Sequence, residues 1–277
     1  MVGSPHEITL RKSMEILVYI HIYNIVKNKL ICIIGILISF FVFQEVGYAQ
    51  KILDARTLKT KNLKPAILYW DFGDPEYLTI ETIYPSRDSG NFYWNVVHRS
   101  PILDDSSGNG FDYYLINEKG LKTIKSQMYH AGFTNYAIDI DKDSAHISIK
   151  RPSDSVAYSI KIPDFIAPEG PGSSIFLGSL PLSENYHIQY YELDRWSGAA
   201  PKTGQVALTE LKVIGVETLE IDGKKVSTYR MNITSKNGRF TEVWALKNEP
   251  HYWVKVNHKI DEKRTMKSRV VKMFIFK

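Results

Sequence analysis

Asp105, Ser107 and Asn109, followed by Gly110 and Phe111, repeat the opening of a calcium-binding loop, where oxygen side chains alternate and a glycine turns the chain. The twelfth position, which such a loop closes with a bidentate glutamate, is Ile116, so the stretch reads as a hairpin loop. Asp139, Asp141 and Asp143 alternate in the same way, but Ser144 stands where glycine is needed and Lys150 where glutamate is needed. That run reads as a solvated turn. His98, His130, His146, His187, His251 and His258 include no H-E-x-x-H pair, so a zinc site would have to gather ligands from separate strands.

Serine catalysis on a G-x-S-x-G elbow has no matching segment, and Gly170-Pro171-Gly172-Ser173-Ser174 lacks the lysine of a phosphate-cradling loop. Carboxylates for acid–base hydrolysis could be drawn from Asp71, Asp74, Glu76, Asp194 or Glu242, as in any β protein of this size. Glu242 shares a strand face with Phe240 and Trp244, where a buried carboxylate needs a partner such as Arg230 or Lys255. No cofactor and no metal is expected. The 35 basic residues are scattered among 30 acidic ones without a basic stripe, which argues against nucleic acid as a partner.

The elements that would position these groups are strands. Tyrosine (17), phenylalanine (12) and tryptophan (5) suit a pleated, half-buried surface, and apolar residues recur at period two in a series of short stretches after residue 65. The spacing predicts strands over Ala66–Phe72, Tyr77–Tyr84 (closed by Pro85), Phe92–His98, Phe111–Ile116, a strand from Leu121, then Phe133–Ile140, Ala145–Lys150, Val156–Ile162 and Tyr186–Leu193. Between Lys202 and Ile260, Asp222-Gly223 and Asn237-Gly238 are two-residue turn signals, because a type I′ turn needs positive φ at both central positions. Tyr229, Met231 and Ile233 form one face there, continued by Phe240, Trp244 and Leu246 and by Tyr252, Val254 and Val256. On the last of these strands, His251, Trp253, Lys255 and Asn257 fall on the opposite face. The expected class is all-β: a curved antiparallel sheet or open barrel.

Pro163–Leu182 holds four prolines and three glycines and breaks the strand pattern. Within it, Ser173–Leu180 predicts a short helix covering the sheet, capped by Ser173 or Ser174. The segment is either a crossover between two halves of one sheet or a boundary between two domains.

Ahead of the strands, Lys27 and Lys29 precede an uncharged apolar run, Leu30–Phe43, and Gly47-Tyr48-Ala49 offers small residues where a signal peptidase reads. The run of 14 residues is shorter than the ~20 that span a bilayer. Cleavage after Ala49 is expected, giving a periplasmic or secreted protein from Gln50 to Lys277 with no stable membrane span. Residues 1–24 fit poorly before such a signal, which points to Met14 or a later residue as the true start. The one cysteine, Cys32, lies inside the apolar run, so the exported part has neither disulfide nor thiol chemistry.

Gly178-Ser179-Leu180-Pro181-Leu182, Lys212–Leu219 (KVIGVETL), Asp222–Val226 (DGKKV), Glu242–Ala245 (EVWA) and Pro250–Val256 (PHYWVKV) together resemble the DUF3108-like bacterial envelope proteins. The resemblance covers roughly the last hundred residues. It implies an exported antiparallel β protein shaped like the lipoprotein carriers of the periplasm, with no assigned activity and no functional residue to carry over.

The leading functional expectation is non-enzymatic: binding of an apolar or glycan ligand, or envelope maintenance, with Trp94, Phe111, Tyr136, Tyr158, Trp196, Trp244 and Trp253 as the bulky residues to line a concave site. A hydrolase of an envelope polymer and an assembly subunit binding an envelope protein through a sheet edge are the alternatives. For the last, the edge candidate is Thr265–Lys277. The same stretch is expected to pair its residues Val270–Phe276 with Tyr252–Ile260 through a turn at Asp261–Arg264, burying Phe274 or Ile275.

Overall fold

The computed structural model describes residues 52–73, 78–100, 110–130, 135–194, 205–259 and 262–277. The region Ile52–Lys277 is a compact unit. The expected signal region, the Asp105–Asn109 loop, Asp74, Glu76, Phe133 and Trp196 lie outside the described residues. Among those described, no helix is long and apolar enough to cross a membrane.

Alternating apolar residues build two antiparallel meanders. The first runs through β1 (Ala66–Asp71), β2 (Leu78–Asp88), β3 (Asn91–Ser100), β4 (Gly110–Asn117), β5 (Thr123–His130), β6 (Asn135–Ile140), β7 (Ser144–Lys150) and β8 (Ser155–Lys161). The second runs through β9 (His187–Asp194), β10 (Gln205–Ile221), β11 (Lys224–Ser235), β12 (Phe240–Leu246), β13 (Trp253–Lys259) and β14 (Thr265–Ile275). Because β1 pairs with β14, the two meanders form one 14-stranded antiparallel sheet with β8 and β9 at its edges. The fold is therefore the all-β open sheet that the periodicity predicts.

Several local expectations change. Tyr77–Tyr84 does not end at Pro85: β2 continues to Asp88 and turns at Ser89-Gly90, both at positive φ (48° and 84°). Pro85 is tolerated because β1 pairs only as far as Ile83, leaving the proline beside a free edge that needs no donor. Asp222-Gly223 is the expected two-residue turn, with φ of 51° and 70°. Asn237-Gly238 is not; there the loop spans 236–239 and only Gly238, at 89°, has positive φ.

Thr265–Lys277 was expected to offer a sheet edge, and β14 instead lies inside the sheet. Its first half, Thr265–Arg269, makes the hairpin with β13, from Lys259↔Thr265 to Lys255↔Arg269, in place of the residues Val270–Phe276 expected there. Its second half, from Val270 to Ile275, pairs with β1. Ile275 is half-buried against the core, while Phe274 is on the outer face and 42% exposed.

The segment between β8 and β9 joins the two edges of the sheet and carries the helix α1 (Ser173–Ser179). Six of its seven residues are buried, and the two buried hydroxyls are satisfied, Ser174 by Glu81 and Ser179 by the Phe176 carbonyl. Its cap differs from expectation: Gly172 occupies the N-cap without a side-chain bond, Ser173 Oγ donates to the Pro168 carbonyl at 3.2 Å, and Ser174 turns to the sheet. A methyl group on Gly172 would stand 3.0 Å from the Tyr114 ring of β4, and one on Gly178 would stand 2.7 Å from the Tyr252 ring just before β13. Those strands are five spacings apart, about 24 Å along a flat sheet, whereas six helical residues advance only about 9 Å. The sheet must curl around α1 for both rings to reach it.

Hydrogen bonding does not close the curl between β8 and β9. Ile138, Ile147 and Ile149 of the first meander share a small apolar cluster with Leu193 of β9, and Tyr136, Tyr158, Tyr191 and Val206 pack against it. Leu193 and Tyr191 alternate with Glu192 and Tyr190, so β9 gives one face to this seam and the other to the main core.

Candidate functional site

On the concave face, β2 presents Thr79, Glu81 and Ile83 inward by simple alternation. Register places Glu81 opposite His98 of β3, and His98 opposite Asp112 of β4, so an acid, an imidazole and an acid form one row across three strands. Of this row, Glu81 touches α1. Glu81 is 1% exposed; its Oε1 accepts a hydrogen bond from Ser174 Oγ, and its Oε2 accepts one from Trp70 Nε1 at 3.1 Å. His98 Nδ1 is 3.6 Å from Asp112 Oδ2, close enough for ion pairing when the imidazole is protonated.

Burial pushes the Glu81 carboxyl above the usual carboxylate range, and the His98 charge together with the Ser174, Trp70 and Trp253 donors only partly oppose this. Trp253 Nε1 has no acceptor at good bonding geometry, so its influence on Glu81 comes from proximity. A carboxyl with a raised pKa is the raw material of a general acid. Here Ser174, itself fully buried, occupies one carboxylate oxygen, and no reacting atom can approach until α1 moves away. The arrangement fastens the helix to the sheet. Among the described residues no three His, Cys, Asp or Glu side chains gather closely enough to hold a metal ion.

The other attachments of α1 are apolar or backbone. Phe176 packs on Tyr190 of β9 with centroids 4.8 Å apart, and the Lys59 amide donates to the Ser179 carbonyl at 2.7 Å. Tyr252, 0% exposed, accepts at its hydroxyl from the Lys64 amide at 3.1 Å and donates to the Lys64 carbonyl, which fixes the ring against Gly178.

The aromatic residues expected to line one site are spread over several. Trp94 is in the main core, and Trp253 packs edge-on against Trp70 at 5.7 Å. Tyr136 and Tyr158 belong to the β8–β9 seam, and Phe111 is 39% exposed on the outer face, stacked on Tyr129. Trp244 is buried on the outer face: Met231 pairs with Val243 and Tyr229 with Ala245, which makes Val243 and Ala245 the inward residues of β12. Lys255 Nζ, 4.0 Å from its ring centroid, and Arg230 cover Trp244, whose Nε1 donates to Glu217 at 2.7 Å. Glu242 on the same face has the expected partner, Arg230, at 2.6 Å, which holds its carboxyl below the usual range.

The stripe His251, Trp253, Lys255, Asn257 is broken by a bulge. Trp244 pairs with Lys255 but Ala245 with Trp253, which leaves Val254 as the extra residue and puts Trp253 on the inner side with it. His251 is 3% exposed and donates from Nδ1 to the Leu246 carbonyl at 2.8 Å. Glu81, Asp112 and the Ser174 contact were missed by sequence reasoning. A usable signal existed in Leu78–Ile83, where a charged residue shares the period-two face of Thr79 and Ile83.

No protein-family model matches the chain, and no curated protein matches it. Among solved structures, it is similar to a beta-barrel-like protein of domain of unknown function DUF1849 from Brucella abortus, at 10% identity and a TM-score of 0.41, over 77% of this chain and 98% of that one. Nothing about the chemistry of this chain follows from a likeness at that level.

Proposed function

We propose that the chain from Gln50 on is an exported cell-envelope protein that binds an apolar ligand, such as an acyl chain, on the concave face that α1 now fills. The resemblance of its last hundred residues to DUF3108-like envelope proteins belongs to this reading. The observation that carries it is the occupation of the concave face by a short helix that buries Ile175, Phe176 and Leu177 there. α1 is seven residues long, has no side-chain cap, is preceded by Gly170-Pro171-Gly172, and is bonded through Ser174 to the buried carboxyl of Glu81 on the sheet. A helix swung out would uncover the apolar surface that Ile175, Phe176 and Leu177 now cover, which an alkyl chain could take in their place.

The test is a titration of the protein, expressed without residues 1–49, with a fluorescent fatty acid. Saturable binding is expected, tighter in Ser174→Ala, because releasing the helix raises the fraction of chains open to the ligand. Absence of saturable binding in both forms would overturn the proposal. Export is tested separately, by the amino-terminal sequence of the secreted product, expected to begin at Gln50.

A further inference from the structure

Two neighbouring rows on the convex face of the sheet are mainly aromatic or aliphatic and lack acids, and the first of them carries basic residues. By register, one row runs from Lys272 of β14 through Tyr69, Ile80, Arg99 and Phe111 to Tyr129 of β5. The row beside it begins at Phe274 and Ile67 and continues through Thr82, Val97 and Tyr113 to Gln127. Six strands at about 4.8 Å spacing make this a strip roughly 24 Å wide. Its rings stand out from the surface: Phe111 is 39% exposed, Tyr129 47% and Phe274 42%. They also support each other, with Phe111 stacked on Tyr129 at 5.8 Å, Phe274 edge-on to Tyr69 at 6.2 Å, and Lys272 Nζ 5.2 Å from the Phe274 centroid.

A contiguous exposed apolar patch marks a contact surface, and the composition of this one identifies what it meets. Rings with basic groups set among them, and no carboxylate in either row, match the boundary of a bilayer: the rings enter the headgroup level while Lys272 and Arg99 meet anionic phosphates. We propose that this strip docks the protein on an anionic lipid surface, lying along the membrane without crossing it. The proposal is independent of ligand binding on the concave face.

The test is sedimentation with lipid vesicles, using the chain without residues 1–49 so that the apolar run Leu30–Phe43 does not itself bind. Removing those residues leaves intact the compact unit Ile52–Lys277, which contains its own core. Sedimentation is expected with vesicles of phosphatidylcholine and phosphatidylglycerol in equal parts, and weaker sedimentation with phosphatidylcholine alone. The pair Phe111→Ser and Tyr129→Ser should weaken binding roughly tenfold or more, and Arg99→Gln or Lys272→Gln roughly fivefold per charge removed. All four residues are on the outer face, and melting temperatures near that of the unsubstituted protein verify that the variants fold. No sedimentation with either vesicle, or binding that both sets of substitutions leave unchanged, overturns the proposal; a face reserved for a protein partner would give the first result.

Discussion

Ser174 of the interior helix donates a hydrogen bond to Glu81 of β2, a residue 93 positions earlier in the chain. Both are fully buried, so neither group can exchange its partner for water. Ser174→Ala should therefore destabilise the protein by about 1–3 kcal/mol, the range for leaving a buried acceptor short of a donor. Chemical denaturation measures this, and loosening of α1 should appear as faster amide exchange over Ser173–Leu180.

The same carboxyl makes stability depend on pH. Its folded-state pKa is raised by burial above the ordinary 4.5, so the folded protein takes up this proton more readily than the unfolded chain. That contribution is fully present below about 4.5 and fades as the pH rises through the raised value. Glu81→Gln, which cannot ionise, should flatten this part of the stability profile and gain on the unsubstituted protein as pH increases. Parallel profiles for the two proteins would show that Glu81 does not titrate across the transition.

His251 and His258 act in the opposite direction. Burial lowers both from the ordinary 6.5, so each is neutral in the fold and protonates more easily once unfolded. Their contribution is present above 6.5 and is lost as the pH falls through the lowered folded values. His251→Asn, which keeps a donor for the Leu246 carbonyl, should lose less stability than the parent on acidification below 6.5, as read from denaturant midpoints across that range.

Gly178 is required for space. An alanine methyl would stand 2.7 Å and 2.9 Å from Tyr252 ring atoms and 3.0 Å from Leu63. The Tyr252 hydroxyl, bonded to both the amide and the carbonyl of Lys64, keeps the ring from retreating. Gly178→Ala should cost about 1–3 kcal/mol through overpacking. Combined with Tyr252→Leu, which vacates the ring, that penalty should shrink, and a double-mutant cycle measures the difference.

The strands were legible because period-two alternation is a local property of a half-buried sheet, and the short helix because proline and glycine mark off an apolar run. What the alternation could not carry was the side of a residue after a one-residue insertion: the bulge at Val254 moves Trp253 inward and separates it from Lys255. Nor could it tell an outer-face tryptophan covered by lysine and arginine stems from a core tryptophan, as at Trp244. Glu81 and Ser174 come together only through the curl of the sheet, a long-range consequence of pairing order with no mark in either local sequence. The pairing of β1 with β14 is the same kind of fact.

That pairing gives the most direct test of the architecture. Residues Lys272–Ile275 provide the partners of Ala66–Tyr69, and no other strand borders β1 on that side. Deleting residues 271–277 withdraws the half-buried Met273 and Ile275 from the core and strips one side of β1, while β13 keeps its pairing from Lys255 to Lys259. With about 1–1.5 kcal/mol for each half-buried side chain and about 1 kcal/mol for each lost backbone bond, the truncation should cost about 4 kcal/mol or more. Amide exchange locates the damage: β1 should lose protection more than β13 does. Uniform loss across both strands would point to a general weakening, and unchanged protection in β1 would mean that β14 does not join the two halves of the sheet.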